Sequence, residues 1–197
     1  ATGNPWIWRP AFFGAFASVD EELLRRGFHV AYYDLTHLYG SPRARKSGTD
    51  FYWNMVRMYG LSPKVTLEGF SRGGLFAYNW AADHPDKVAC IYVDAPVCNV
   101  FSWPGRSPEN AGLWKGLLEE WGLTDDQMNS FSGNPIDRLK PLADAGIPVI
   151  CVCGDSDKVV PFSENSAIVR QRYTAMGAPF ELILKPGVDH HPHSLSD

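Results

Sequence analysis

The chain contains no apolar run approaching the ~20 residues that cross a bilayer. It has no excess of basic residues either. Eighteen Lys and Arg against 22 Asp and Glu leave a formal net charge of −4 and a pI near 5.8, which argues against nucleic-acid partners and anionic membrane surfaces. Internal repeats and low-complexity tracts are missing. Cysteine is sparse: Cys90, Cys98, Cys151 and Cys153 include no Cys-x-x-Cys pair, and helical His-x-x-x-His spacing is also missing. The four thiols therefore read as reduced and structural, with Cys151 and Cys153 on one face of a strand and Cys90 and Cys98 on neighbouring strands. No metal and no cofactor is expected. Ala1-Thr2-Gly3-Asn4-Pro5 resembles neither a signal nor a transit peptide. A cleaved signal leaves no trace, so cytoplasmic and secreted or periplasmic locations both stay open.

What is present is a globular composition, 45% hydrophobic and 20% charged, over 197 residues, which favours one domain with a real core. Residues 1–17 are rich in aromatics and glycine without periodicity and read as a loop packed by its own rings. Ser18 with Glu21 is a capping-box signature opening a helix that ends before Gly27. A strand follows over Phe28–Tyr33. Next comes a loop with a solvated basic cluster, Arg43, Arg45 and Lys46, and then a helix near Thr49–Met58 stopped by Gly60. Strands are expected before Ser71, over Val88–Val93 and Pro148–Cys153, and over Phe180–Leu184, with helices at Leu75–Asp83 and Ser163–Met176. Between Cys98 and about Leu139 lies an insertion that reads as a small helical cap. Its stripe Trp114, Leu117, Leu118, Trp121 is expected to pack a core, and Thr124 with Gln127 forms a second capping box. Alternating strands and helices predict an α/β fold with a mostly parallel sheet and helices on both faces.

Reactive groups in such a fold gather at the carboxyl ends of the strands. The key stretch is Gly69-Phe70-Ser71-Arg72-Gly73, a G-x-S-x-G placed between a strand and a helix. There the serine occupies a strained turn, glycines let strand and helix pass closely, and the helix N-terminus faces a developing oxyanion. A serine hydroxyl needs a base, and the base needs an orienting acid. Asp94, Asp157 and His190 also follow strands, in the order Ser…Asp…His. Asp157 is the preferred acid, with Asp155 and Asp94 as alternatives; Asp155 is expected to shape its turn. His190 is the preferred base, with His191 and His193 as alternatives. The three histidines admit a metal reading with Asp189, which is disfavoured because adjacent histidines do not easily turn to one ion. Oxyanion donors are expected from the Arg72 N–H and from the N-terminal loop, with Trp8 named as the donor. The Arg72 side chain either supports the oxyanion, binds a substrate carboxylate, or makes a surface ion pair.

These three motifs resemble the α/β-hydrolase superfamily: Gly69–Gly74 its nucleophile loop, Gly154–Pro161 its acid loop and Pro186–His190 its base loop. Asn4–Arg9, Asp94–Val97 with Ser102–Gly105, and His190–Ser194 are similar to bacterial esterase-type hydrolases found with polysaccharide-degrading enzymes. The Ser71-Arg72 pair is similar to that of glucuronoyl esterases. The resemblance implies further strands before the oxyanion loop and a helix after the base loop. The chain is therefore expected to lack those parts, either as a fragment of a longer protein or with the missing edge supplied otherwise, and a truncated sheet would expose an edge strand and apolar surface.

The resulting expectation is a serine hydrolase that cleaves a carboxylic ester through an acyl-enzyme, with Ser71 as nucleophile, His190 as base and Asp157 as orienting acid. Its substrate is expected to be a small-molecule or carbohydrate ester, an acetyl or uronate methyl ester, with Trp6, Trp8 and Trp103 available to stack on a sugar. A peptidase or amidase using the same residues is one rival. A catalytically silent binding protein on the same fold is the other. Oligomeric state stays open.

Overall fold

The computed structural model describes residues 2–195. Its six strands are β1 (Trp6–Arg9), β2 (His29–Tyr32), β3 (Val65–Phe70), β4 (Val88–Asp94), β5 (Val149–Gly154) and β6 (Phe180–Lys185). They form one sheet in the order β2-β1-β3-β4-β5-β6, and every pairing is parallel. The helices are α1 (Ser18–Arg25), α2 (Pro42–Tyr59), α3 (Gly73–Asp83), α4 (Ala111–Trp121), α5 (Lys140–Asp144) and α6 (Ser166–Ala175).

β1 corrects the expected N-terminal loop. All four of its residues are buried, because a strand inside a parallel sheet is covered on both faces and shows no alternation. Trp6 and Trp8 share one face and stack at 6.1 Å; Trp8 meets Phe76 and Trp80 edge-on at 5.0 and 5.2 Å. The chain therefore carries a strand ahead of the loop that the sequence placed at its start.

The basic cluster is corrected as well. α2 starts at Pro42, with Ser41 accepting a hydrogen bond from the Ala44 N–H at 3.2 Å. Serine at the N-cap with proline at the first helical position is a strong start signal. Arg43, Arg45 and Lys46 lie on the helix and pair with Glu120, Asp83 and Asp50. Ser18 is the first residue of α1, and no side-chain cap forms there. Thr124 and Gln127 do cap each other: the Thr124 N–H donates to Gln127 Oε1 at 2.8 Å and the Gln127 N–H to Thr124 Oγ1 at 3.4 Å. The cysteines are all free thiols, and Cys98 lies in the loop beyond β4 rather than on a strand.

On one sheet face Trp8, Leu67, Val149 and Cys151 pack with residues of α2, α3, α5 and α6 in the main core. The other face carries Phe70, Tyr92 and Val152 with Val19 of α1 against them. Beside α1 an open apolar groove is lined by Leu23, Ile150, Ile183 and Leu195. A third cluster joins Trp114 and Leu117 of α4 to Leu75, Val97 and Trp103, with Leu118 and Trp121 packed on it. The α4 stripe is thus core, as its spacing predicted. No helix among the described residues is long and apolar enough to cross a membrane.

Candidate active site

Register brings the ends of four strands level. Phe70 pairs with Asp94, Asp94 with Val152, and Gly154 with Lys185, so the loops after β3, β4, β5 and β6 emerge on one edge. Ser71 follows β3 with φ +47°, a left-handed conformation that costs a non-glycine residue about 1–3 kcal/mol and persists only where its surroundings hold it. Here they do. The Ser71 N–H donates to the Asp94 carbonyl at 2.9 Å, and the Ser71 carbonyl accepts from the Val97 N–H at 2.8 Å. Gly74 makes the crossing possible, since a Cβ there would sit 2.6 Å from Pro96 Cβ.

His190 Nε2 lies 3.0 Å from Ser71 Oγ, and His190 Nδ1 lies 2.8 Å from Asp157 Oδ2. The second Asp157 oxygen accepts from the Val159 and Val160 N–H groups at 2.9 and 2.8 Å, which fixes the carboxylate and turns it to the ring. The acid and base loops are joined by backbone. Asp189 Oδ1 accepts from the Lys158 and His190 N–H groups, and these bonds hold its exposed carboxyl below the usual range. Gly154 lies under the join; a Cβ there would meet the Val188 carbonyl oxygen at 2.0 Å. Asp155 Oδ1 accepts from the Gly187 N–H at 2.7 Å, so it shapes the turn and does not reach a histidine.

Asp94 is committed elsewhere. Its Oδ1 lies 2.7 Å from His193 Nδ1 and its Oδ2 accepts from the Ser194 N–H at 2.7 Å. It therefore does not serve His190. The His193 ring stands 5.0 Å from that of His190, giving two Asp–His pairs side by side. The ring nitrogens of His190, His191 and His193 lie within 4.8 Å of one another, closer than their adjacency in sequence suggested. Three imidazoles suit a borderline ion such as zinc. Yet both ring nitrogens of His190 are engaged, by Ser71 and by Asp157, and none is left for an ion. Without His190 two imidazoles of the cluster remain, short of the three protein ligands of a zinc site.

A cavity of about 270 Å³ opens over Ser71 and His190, and it is lined also by Phe12, Phe16, Arg72, Trp103, Val159, His191 and His193. Trp103 and Arg72 both line this cavity, with the guanidinium 4.9 Å from the Trp103 ring. The ion pair considered for Arg72 has no acidic partner among the described residues. Trp8 is corrected: its ring is in the core, far into the sheet, and its main chain belongs to β1. Trp6 is likewise core, so of the three tryptophans considered for sugar stacking Trp103 alone faces the cavity. The loop behind β1 instead presents Phe12 and Phe16, which no periodicity in the sequence marked.

A buried ionic group underlies that loop. Arg9 donates to the Asp20 carboxylate and to the Ala11 and Ala15 carbonyls, with its Nη1 4.0 Å from Glu68. Burial pushes the Glu68 carboxyl up to about 9, and the Asp20 charge adds to that effect. The sequence carried one signal for this: two ionisable residues inside otherwise apolar strands.

A sequence profile described as the alpha/beta hydrolase fold matches residues 3–130, more than half of the chain. The chain belongs to the α/β-hydrolase fold family. No curated protein matches it in sequence. Solved structures similar to it include a puromycin hydrolase mutant complexed with PGG, at 15% identity and TM-score 0.74 over 95% of this chain and 31% of that one. An acylaminoacyl peptidase from Pyrococcus horikoshii is similar at 12% identity and TM-score 0.70, over 94% of this chain and 33% of its own. Another acylaminoacyl peptidase, in complex with Z-Gly-Gly-Phe-chloromethyl ketone, matches at 13% identity and TM-score 0.70 over 95% and 33%. The chain thus spans about a third of the length of these structures, and at such identities the likeness is one of fold.

Proposed function

We propose that this chain is a serine hydrolase that cleaves a small carboxylic ester through an acyl-enzyme. The reading rests on one observation: Ser71 Oγ, His190 and Asp157 form a continuous hydrogen-bonded line at the floor of a small cavity. In the mechanism, His190 Nε2 takes the Ser71 proton as Oγ attacks the carbonyl carbon. Asp157 accepts from His190 Nδ1, holding the tautomer with Nε2 free and stabilising the imidazolium that forms. His190 then protonates the leaving alkoxide, and water deacylates the serine by the reverse proton path.

The oxyanion is held by the Arg72 N–H, which donates to no acceptor among the described residues, at the start of α3. The second donor comes from the loop between β1 and α1. Phe12 is our assignment, because its N–H is also free, it lines the cavity, and its neighbour Ala11 abuts the elbow at Gly73. A sugar ester remains within this reading through Trp103 and the flanking phenylalanines. The second reading is a peptide or amide bond, favoured by the names of the structural neighbours. The test is fluorophosphonate labelling of wild type, Ser71→Ala and His190→Ala, followed by paired esters and anilides. Labelling confined to wild type with faster ester turnover supports the proposal. Faster anilide turnover moves it to the second reading, and a folded wild type that does not label overturns the hydrolase reading for this chain.

A further inference from the structure

Arg72 differs from the other arginines. Arg9, Arg25, Arg26, Arg43, Arg45, Arg106, Arg138 and Arg172 each pair with a carboxylate. Among the described residues Arg57 and Arg170, which are exposed, and Arg72 lack such a partner. Arg72 is half-buried and lines the cavity with Ser71, its guanidinium 4.9 Å from the Trp103 ring and 5.9 Å from that of Phe12. Aromatic faces attract a cation but accept no hydrogen bond in the plane of the guanidinium. Among the described residues its donor fork therefore has no acceptor, although desolvating a charged donor is costly unless something completes it.

Among the described residues nothing else in the cavity answers that charge. The lining includes no aspartate or glutamate. Asp157 is consumed by His190 and two backbone N–H groups, and Asp94 by His193 and Ser194. Burial and the neighbouring histidines push His191 down, so it offers no second cation at neutral pH. One planar guanidinium fork pairs bidentately with one carboxylate, and its single charge matches that of a monoanion.

We propose that Arg72 forms an anion subsite: its guanidinium binds a carboxylate carried by the substrate near the scissile carbonyl, so that the enzyme selects acidic esters. This rests on the serine-hydrolase reading above. Binding is stepwise compatible with the chemistry, because the fork engages a group that is not transferred while Ser71 and His190 act on the ester.

The test compares kcat/KM on three esters: p-nitrophenyl butyrate, the p-nitrophenyl monoester of glutaric acid (carboxylate on the acyl side), and a nitrophenyl butyrate carrying a ring carboxylate (leaving side). Wild type is expected to favour one acidic ester over the neutral one by about tenfold or more, the scale of a charge-assisted bidentate contact. Arg72→Gln is expected to bring that ratio to near unity through KM, Arg72→Lys to keep part of it, and added salt to weaken it. The ratio does not depend on how much of a variant folds. A wild-type ratio near unity, or a ratio unchanged in Arg72→Gln, overturns the proposal; equal loss on all three esters would assign the side chain to the oxyanion instead. Fluorophosphonate labelling run alongside separates the two readings. A labelled wild type without acidic preference sinks the subsite alone, whereas an unlabelled folded wild type sinks the hydrolase reading.

Discussion

Two Asp–His pairs stand side by side at the carboxyl edge of this sheet, and by distance they are nearly identical. Asp157 is 2.8 Å from His190 and Asp94 is 2.7 Å from His193, and all four residues are buried. They differ in what the rest of each pair touches. The free nitrogen of His190 faces Ser71 Oγ, and the remaining oxygen of Asp157 is held by turn N–H groups of its own loop. The remaining oxygen of Asp94 is spent on the Ser194 N–H, so this pair ties the C-terminal segment to the end of β4. Further ties follow there, from Lys185 Nζ to the Pro192 and Ser194 carbonyls. A carboxylate beside an imidazole is therefore no assignment of a catalytic role. The group opposite the second ring nitrogen decides it.

The comparison can be broken most severely at Ser71. Ser71→Ala or His190→Ala is expected to lower kcat on an activated ester by on the order of 10⁴–10⁶-fold, with an unchanged circular-dichroism spectrum. It is sharpened by the matched pair of amide variants. Asp157→Asn is expected to cost roughly 10³–10⁴-fold in kcat, because the amide favours the wrong tautomer of His190. Asp94→Asn should instead act on the fold, lowering Tm by roughly 3–12 °C while kcat stays within about tenfold, the scale of one charge-assisted hydrogen bond. If Asp94→Asn proved the more damaging to kcat, the roles given to the two pairs would be reversed.

Gly154→Ala tests the join between acid and base loops. With the Val188 oxygen 2.0 Å from the new Cβ, the base loop must shift, and a displacement near 1 Å is expected to cost about 10²-fold in kcat/KM. The smallest effect is one of stability with pH. Glu68 is pushed from 4.5 to about 9 in the fold, so its protonated form is the native one. Its contribution is complete below pH 4.5 and is lost as the pH rises towards 9, where the unfolded chain releases a proton that the native state keeps. Glu68→Gln should therefore raise Tm over wild type at pH 8.5 and change it less at pH 5, a difference read by thermal melts across that range. Equal shifts at both pH values would mean that Glu68 is ionised in the fold.

Much of this was legible in the residues. The elbow Gly69–Gly73, the order Ser71…Asp157…His190, the buried strands β4 and β5 and the α4 stripe all follow from local pattern, because turn chemistry and periodicity are properties of a few consecutive side chains. β1 was not legible. Trp6-Ile7-Trp8-Arg9 lies between two strands and is covered on both faces, so it shows no alternation, and its arginine looks like surface until Asp20 folds onto it. The start of α2 was hidden by its basic residues and by Gly48, whose missing side chain makes room for Phe76 and Trp8.

The sequence by itself determined the fold class and the strand-turn-helix at Ser71, and it named Ser71, Asp157 and His190, which the fold brings into hydrogen-bond reach. The tertiary structure decided which carboxylate meets which histidine, that Trp8 packs the core while Phe12 and Phe16 line the cavity, and that Arg72 has no acid beside it among the described residues. The physical reason is distance along the chain. Asp157 and His190 are 33 residues apart, Asp94 and His193 99, and Ser71 and His190 119, so only strand register and loop packing select those contacts from the many that composition allows.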